Sequence, residues 1–288
     1  MNRIQGTLPN ALLIVLAFFM ILPLLMSATN SFMSDGELGE NYDSRDAEQQ
    51  TEEVKKGFNS MKLIPDSFTL KQYYQVLIAK HKFLRMFWNS VFIVLPIVAG
   101  QVIISSMAAF AFAKLRFRGR DTLFFIYIVL MLMPFQVTLV PNYLTLDRLG
   151  LIDSYLSLVF PGVFSAFGVF LLRQFMMFIP NECIEAAKVD GCSLVHIFFK
   201  IILPMSKGGI ASLAILSFID NWNMVEQPLI FLKDANKYPL SIYLSRVNGG
   251  ELGIAFAAGI IYMLPMLFMF LYGENYLVEG ISHSAIKR

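Results

Sequence analysis

Charged residues are scarce in this sequence, which has 23 Lys and Arg and 21 Asp and Glu among its 288 residues. Hydrophobic residues make up 56% of the chain, and the mean hydropathy is +0.60. A soluble domain of this length carries more charge, because its surface faces water. The composition therefore excludes a soluble protein and indicates a chain that folds in a membrane.

Residues that commonly carry out chemistry are also few. The two cysteines, Cys183 and Cys192, have no His or acidic partner at metal-ligand spacing, and we interpret them as reduced cytosolic thiols. The three histidines, His81, His196 and His283, lie in regions of different sidedness, which excludes a Ser/His/Asp or Cys/His arrangement. No G-x-x-x-x-G-K-[ST] stretch occurs, so ATP would be bound by another polypeptide. We expect no enzyme activity, no cofactor and no metal site.

Six apolar segments are each long enough to cross about 30 Å of hydrocarbon as a helix. They cover residues 8–28, 88–113, 122–140, 155–172, 208–225 and 254–272. The first resembles a signal peptide, but Met26 stands where a small residue would precede a cleavage after Ala28, so we expect an uncleaved anchor. The sequence thus predicts an all-α polytopic membrane protein, with residues 1–288 forming a single transmembrane domain.

The connection between spans two and three is strongly basic. It contains Lys114, Arg116, Arg118 and Arg120, and no acid before Asp121. Short loops rich in Lys and Arg stay in the cytoplasm. Alternation of six spans then places both termini in the cytoplasm, together with segment 180–204 between spans four and five, and leaves loop 31–87 outside.

The outer loop 31–87 has two parts. Residues 35–53 contain eight acids and one basic residue, Arg45, and we interpret them as a mobile acidic insertion, either a docking patch for an external protein or simply a solvated loop. In residues 68–88, apolar positions recur near helical spacing among lysines. This pattern predicts an amphipathic helix at the outer membrane interface.

Three features of the spans bear on packing. Ser105, Ala109 and Ala113 follow one another at intervals of four residues in span two, which predicts a face where another helix approaches closely. Pro134 in span three and Pro161 in span four predict kinks, which either line a pathway or serve packing alone.

Span five ends in polar residues, Asp220, Asn221 and Asn223, before a full membrane thickness is reached. An Asp at the centre of a membrane helix costs about 2.5 to 3.5 kcal/mol, so it normally faces protein or water. Two interpretations stay open. These residues line the outer part of a polar pathway and bind a hydroxylated solute, or they cap the helix end with Trp222 as an interfacial anchor.

No predicted span contains a Lys, an Arg, a His or a pair of acids. Carriers driven by protons or sodium usually need such groups near the membrane centre. The chain therefore lacks the groups to drive transport itself, and its energy would come from elsewhere.

Segment 180–204 differs from the rest because it carries charges, a glycine and a terminal proline. Asn181 and Ser193 are placed to cap two short helices, and Gly191 is placed to end the first of them. Ala186 and Ala187 are small enough to let another surface approach the backbone. The segment is therefore predicted to dock on a partner.

The spacing in this segment resembles the EAA loop of permeases from binding-protein-dependent ABC importers. Seven positions agree with that loop: Glu185, Ala186, Ala187, Gly191, Ile201, Leu203 and Pro204. Further stretches, such as Trp88 to Ser90 and Leu115 to Gly119, are similar to sugar-importing permeases of the maltose type. Met224 and Val225 depart from that family's pattern, which commonly has an acidic and an aromatic residue there.

The resemblance implies a transmembrane permease subunit that passes a carbohydrate or polyol into the cytoplasm. The residues implied to couple to the ATPase are Glu185, Ala186, Ala187, Asp190 and Gly191. The implied partners are two cytosolic ATPase subunits, an extracytoplasmic solute-binding protein and, since the chain has no internal repeat, a second homologous permease. The alternative is an energy-independent membrane channel or carrier.

Overall fold

The computed structural model describes residues 4–42, 64–246 and 252–285, and within these ranges it contains no β-strand. The α-helices are α1 (Ile4–Asn30), α2 (Asp35–Tyr42), α3 (Lys71–Tyr74), α4 (His81–Lys114), α5 (Arg120–Met131), α6 (Phe135–Arg148), α7 (Leu156–Gly162), α8 (Ala166–Met177), α9 (Asn181–Val189), α10 (Leu194–Ile197), α11 (Leu203–Met205), α12 (Lys207–Trp222), α13 (Glu226–Phe231), α14 (Leu240–Ser245) and α15 (Leu252–Ala285). Gln75–Ala79 and Phe198–Ile202 are π-helical, and Ala235–Lys237 is a 3₁₀ turn.

Four helical segments of the described chain are long and apolar enough to cross a membrane, namely Leu12–Asn30, His81–Lys114, Leu156–Met177 and Leu252–Glu274. Two bent pairs also qualify: α5 and α6 meet at 101°, and Leu194–Met205 meets α12 at 75°. The predicted number of six spans is reached if each bent pair counts as one. Pro134 lies at the first bend, where it precedes α6, and this confirms the predicted kink.

Two of these helical segments continue beyond the predicted spans and include charged residues there. Leu156–Met177 runs past residue 172 and includes Arg173, and His81–Lys114 has His81 and Lys114 at its two ends. The guanidinium of Arg173 lies 3.8 Å from the centre of the Phe124 ring, and its Nε donates to the Phe112 carbonyl at 3.4 Å. The predicted spans 88–113 and 155–172 themselves contain no Lys, Arg or His. Beyond the predicted end of span four, an aromatic face and a carbonyl accommodate Arg173.

The chain divides into two compact units. One consists of Met1–Leu84 with Tyr243–Leu264, and the other of Arg85–Ile242 with Pro265–Arg288. The prediction of a single domain over residues 1–288 stays a prediction.

Part of the acidic outer loop is folded within the first unit. Glu37 in α2 is buried, and its Oε1 accepts a hydrogen bond from the Asp66 amide at 2.7 Å. Asp35 pairs with Lys71 at 3.0 Å. Residues 35–42 are therefore not the mobile insertion that their charge suggested, because Asp35 and Glu37 have specific partners; residues 43–53 lie outside the described residues.

The amphipathic helix predicted in residues 68–88 is present but interrupted. It consists of α3 and the π-helical turn Gln75–Ala79, and Lys80 separates these from α4. Val76 is fully buried, whereas Tyr74 is 59% exposed. One face of this stretch is therefore buried and the other exposed, and its location at the outer membrane interface stays a prediction.

Close helix contacts organise the second unit. A Cβ added at Gly168 of α8 would lie 2.5 Å from Ser105 Oγ of α4, and one at Gly209 of α12 would lie 2.5 Å from Phe175 Cγ of α8. Ser105 and Ala109 are fully buried, which confirms the predicted contact face on α4. The lack of a Cβ at two glycines thus lets α4, α8 and α12 pack tightly.

Trp222, at the end of α12, is buried. Only 1% of it is exposed, its ring stacks on Phe218 at 5.2 Å, and it meets the edge of Phe87 at 5.7 Å. The interpretation of Trp222 as an interfacial anchor is therefore wrong, because neighbouring aromatic rings enclose it.

Candidate functional site

Segment 180–204 folds as α9, a tight turn and a second helical stretch. Gly191 follows α9 with a φ of +77°. Its amide donates to the Lys188 carbonyl at 3.0 Å, and the Cys192 amide donates to the Ala187 carbonyl at 2.9 Å. Glycine adopts this left-handed conformation without a Cβ clash, so the predicted helix end at Gly191 is confirmed.

The start of α9 differs from the prediction. Pro180 occupies the N-cap, and Asn181 is already the first helical residue. The Asn181 Oδ1 atom accepts a hydrogen bond from Lys114 Nζ at 3.0 Å, and the same ammonium donates to the Ile179 carbonyl. The capping role of Asn181 is therefore wrong; its side chain instead helps tie the end of α4 to the start of α9.

The second helical stretch begins as predicted. Ser193 Oγ accepts a hydrogen bond from the His196 amide at 3.3 Å, which confirms the cap. The stretch continues through the π-helical turn Phe198–Ile202 into α11 and ends at Met205, two residues beyond the predicted Leu203. We call residues 180–205 the coupling segment.

One face of the coupling segment is buried in the second unit. Ile184 and Ala187 are 6% and 7% exposed, and Ile197 is fully buried. They share an apolar cluster with residues of α4, α8 and α12, namely Ala109, Phe110, Leu172, Met176 and Leu213. The rings of Phe110 and Phe198 lie 5.2 Å apart within it. The coupling segment is therefore packed firmly against three helices.

The opposite face is open. Glu185, Ala186, Asp190 and Gly191 are exposed, and Val189 is 88% exposed. Four of the five predicted coupling residues therefore lie on an accessible surface, whereas Ala187 lies in the chain's own core. The small size of Ala187 serves packing within the chain, and the coupling role of the set stays a prediction.

A polar cavity of about 540 Å³ lies elsewhere in the second unit. Helices α4, α5, α6, α7, α8, α12 and α13 all contribute to its wall. Its polar lining residues are Gln101, Thr138, Asn142, Ser165, Asp220, Asn221 and Gln227, and its aromatic ones are Phe135, Phe164, Phe167 and Phe231. Amides, hydroxyls and one carboxylate can exchange hydrogen bonds with a hydroxylated solute.

The three residues predicted for the solute pathway separate into two groups. Asp220 and Asn221 both line the cavity. Asn223 does not belong to its lining; its side-chain amide donates to the Ile219 carbonyl at 2.7 Å and approaches Met266 Sδ at 3.4 Å. Asn223 therefore has the helix-end contact that the alternative interpretation assigned to it, while Asp220 and Asn221 face the cavity.

Sequence reasoning missed Gln101, which connects three helices at the cavity wall. Its Nε2 donates to the Gly162 carbonyl at 2.7 Å, and its Oε1 accepts from Ser217 Oγ at 2.6 Å. The Gly162 carbonyl is available because the helix breaks between α7 and α8. An isolated amide in an otherwise apolar span was the signal that could have identified Gln101.

Outside the membrane-spanning segments, Asp153 links the loop before α7 to the loop after α13. Its backbone is left-handed with a φ of +62°, and its Oδ1 accepts from the amides of Asp234 and Lys233, each at 3.0 Å. Its Oδ2 accepts from Lys237 Nζ at 2.9 Å. The Asp234 amide most of all, then the Lys237 side chain and the Lys233 amide, lower the pKa of Asp153 to about 2.

Comparison with known proteins adds to this geometry. Residues 101–276 match a family described as binding-protein-dependent transport system inner membrane component. The arabinooligosaccharides transport system permease protein AraQ of Halalkalibacterium halodurans is 28% identical over 77% of this chain and 81% of its own. The sn-glycerol-3-phosphate transport system permease protein UgpE of Pectobacterium atrosepticum is 33% identical over 69% of this chain and 73% of its own.

The fold also has a solved counterpart. It is similar to a chain in the crystal structure of a bacterial ABC transporter involved in the import of the acidic polysaccharide alginate, with a TM-score of 0.80. The two chains are 23% identical, and the similarity covers 96% of this chain and 97% of the other. The helical arrangement of the described residues therefore occurs in an experimental structure.

Proposed function

Because the chain belongs to the family of binding-protein-dependent transport system inner membrane components, we propose that it forms one half of the transmembrane pathway of an ATP-driven importer. Its cargo is a carbohydrate or polyol that an external solute-binding protein delivers. The chain is a multi-pass inner-membrane transport subunit and not an enzyme; partner ATPase subunits hydrolyse the ATP.

One observation carries this proposal. The coupling segment packs on α4, α8 and α12, and the same three helices contribute Gln101, Phe167 and Asp220 to the cavity wall. A force applied to the exposed face of the segment therefore reaches the cavity through continuous helices. Packed helices move as rigid bodies rather than deform, so the segment can transmit a domain motion.

The exposed face of the coupling segment supports a role in docking. In the proposed assembly, each permease half binds one ATPase subunit through this face. Val189 offers an apolar contact that is 88% exposed, and Glu185 lies on the same short helix, exposed to pair with a basic residue. Closure of the two ATPase subunits on ATP would then tilt this chain against a second, homologous permease and alternate access to the pathway.

The orientation supports the same mechanism. Lys114, Arg116, Arg118 and Arg120 favour a cytoplasmic position for the loop before α5, and Lys114 binds the start of the coupling segment directly. The coupling segment and both termini would then face the cytoplasm, where ATP is available. Loop 31–87 would face the external binding protein.

The solute class rests on the cavity and on the relatives. Two of the proteins described above are named for arabinooligosaccharides and for alginate, and a third for sn-glycerol-3-phosphate. All are hydroxylated compounds, and the cavity wall of amides, hydroxyls and aromatic rings suits such a solute. A carbohydrate or polyol is therefore the proposed cargo.

An omission experiment tests the proposed function. The chain is reconstituted in proteoliposomes with its co-encoded partners, and uptake of labelled sugars and polyols is measured after leaving out ATP, the binding protein or the ATPase in turn. We expect each omission to abolish uptake. Uptake that continues without ATP would replace the importer with an energy-independent channel or carrier.

A further inference from the structure

The polar cavity contains a single type of charge. Asp220 is the one charged side chain among its described lining residues, and no Lys, Arg or His borders it. Asp220 also borders a neighbouring cavity of about 320 Å³, whose remaining described lining residues, such as Ser217 and Leu213, carry no charge. One carboxylate therefore sets the electrostatic potential of both spaces.

This carboxylate is available to a solute. Asp220 is exposed, and it makes no hydrogen bond or ion pair with any residue in the part of the chain that the structure describes. A second acid lies beside the cavity: Glu226 accepts hydrogen bonds from Gln136 Nε2 at 3.2 and 3.4 Å, and its neighbour Gln227 lines the wall. Glu226 does not itself line the cavity, so Asp220 is the acid that a solute within it meets directly.

The walls make this negative charge effective over distance. Four phenylalanines line the cavity, and apolar walls of low dielectric constant focus the field of a charge into the space between them. Two unit charges of the same sign about 10 Å apart, at an effective dielectric constant of about 20, repel enough to change a local concentration on the order of tenfold. Neutral hydroxyl groups, in contrast, can donate hydrogen bonds to the carboxylate.

We infer that Asp220 makes this half of the pathway selective for uncharged hydroxylated solutes and disfavours anionic ones such as uronates and phosphorylated polyols. The inference rests on the proposed function and narrows its substrate class. It also separates this chain from the proteins named above for alginate and for sn-glycerol-3-phosphate, whose named solutes are anions.

The transport test compares two solutes that differ by one charge and a methyl group, namely galacturonate and its methyl ester. Uptake of each by wild type, Asp220→Asn and Asp220→Glu is normalised to its affinity for the binding protein. We expect the preference of the wild type for the ester to fall about tenfold in Asp220→Asn and to persist in Asp220→Glu. Equal preference in all three proteins would overturn the inference.

A second measurement needs no transport. In a background with Cys183→Ala and Cys192→Ala, a cysteine replaces either Thr138, which lines the cavity, or Thr145, which is exposed on the same helix. The two sites are matched, since each Thr hydroxyl donates to a carbonyl of the preceding turn, at 2.8 Å in both cases. The rates of modification by cationic 2-trimethylammonioethyl and anionic 2-sulfonatoethyl methanethiosulfonate are then compared.

At position 138 the ratio of the cationic to the anionic rate should exceed that at position 145 about tenfold, and Asp220→Asn should remove the excess while Asp220→Glu retains it. Equal ratios at the two positions, or an excess that survives Asp220→Asn, would overturn the inference. Because the reagents need neither ATP nor partners, this result is independent of whether the chain proves to be an ATP-driven importer.

Discussion

Replacement of Ile184 by Ala should loosen the coupling segment from the helices it packs against. Ile184 is 6% exposed and lies in the cluster that joins α9 to α4, α8 and α12. The change removes three carbon atoms, worth about 0.8 kcal/mol each, and leaves a cavity whose cost brings the total to about 3 kcal/mol. That loss should raise the local opening of α9 about a hundredfold.

Two assays measure this effect. Hydrogen exchange of the α9 amides reports the opening, and the number of ATP molecules hydrolysed per solute imported reports the coupling. Val189→Ala is the matched control, because this side chain lies on the same helix and is 88% exposed. The control should leave hydrogen exchange of the α9 amides unchanged while weakening ATPase binding. Ile184→Ala should keep the ATPase bound and raise the number of ATP molecules hydrolysed per solute imported. Equal effects of the two variants on exchange and on coupling would refute the reasoning.

Three further predictions concern packing, pH and the cavity wall. Gly209→Ala should lower the stability of the purified chain by about 1 to 3 kcal/mol, because the added Cβ would meet the Phe175 ring. Gly259→Ala is the control and should stabilise the chain by up to about 1 kcal/mol, because nothing lies within 4 Å of its added Cβ. A loss of stability in both variants would contradict this reasoning. The depressed pKa of Asp153 stabilises the fold above about pH 4, and this contribution should be lost as the pH falls through about 2. Asp153→Asn should therefore reduce the exchange protection of the Lys233 and Asp234 amides at neutral pH, and unchanged protection would count against the charge-assisted hydrogen bonds of these amides to Asp153. Gln101→Leu leaves the half-buried Gly162 carbonyl and the buried Ser217 hydroxyl without their Gln101 partner. It should cost about 2 to 4 kcal/mol in thermal unfolding in detergent, more than Gln101→Asn.

The features predicted correctly from sequence depend on local chemistry. The length of the apolar segments predicted the membrane spans, and Pro134 marked a bend that exceeds 90°. Gly191 and Ser193 act within one turn of their own backbone, so their roles follow from residue type alone. Asp220 was noted because a carboxylate in an apolar span is costly without a special environment; it lines the cavity, and its role in a solute pathway stays a prediction.

The features that were missed depend on residues distant in sequence. Asn181 is of a residue type that commonly caps helices, but its side chain accepts a hydrogen bond from Lys114, 67 residues earlier. Trp222 has the amphipathic character of an anchor, but the rings of two other helical positions enclose it. Gln101 forms its contacts with residues 61 and 116 positions away. No periodicity or local spacing encodes such pairs, because they exist only once the helices have packed.

The central claim is that ATP hydrolysis drives transport through the coupling segment, and uptake by proteoliposomes with ATP tests it most directly. Wild type is compared with Glu185→Ala combined with Gly191→Val, since a β-branched residue resists the left-handed backbone of φ +77°. Glu182→Ala, another exposed acid of α9, is the control. The account predicts that the double variant inserts normally but loses stimulated ATPase activity and uptake, while the control retains both. Uptake at the wild-type rate by the double variant would contradict it.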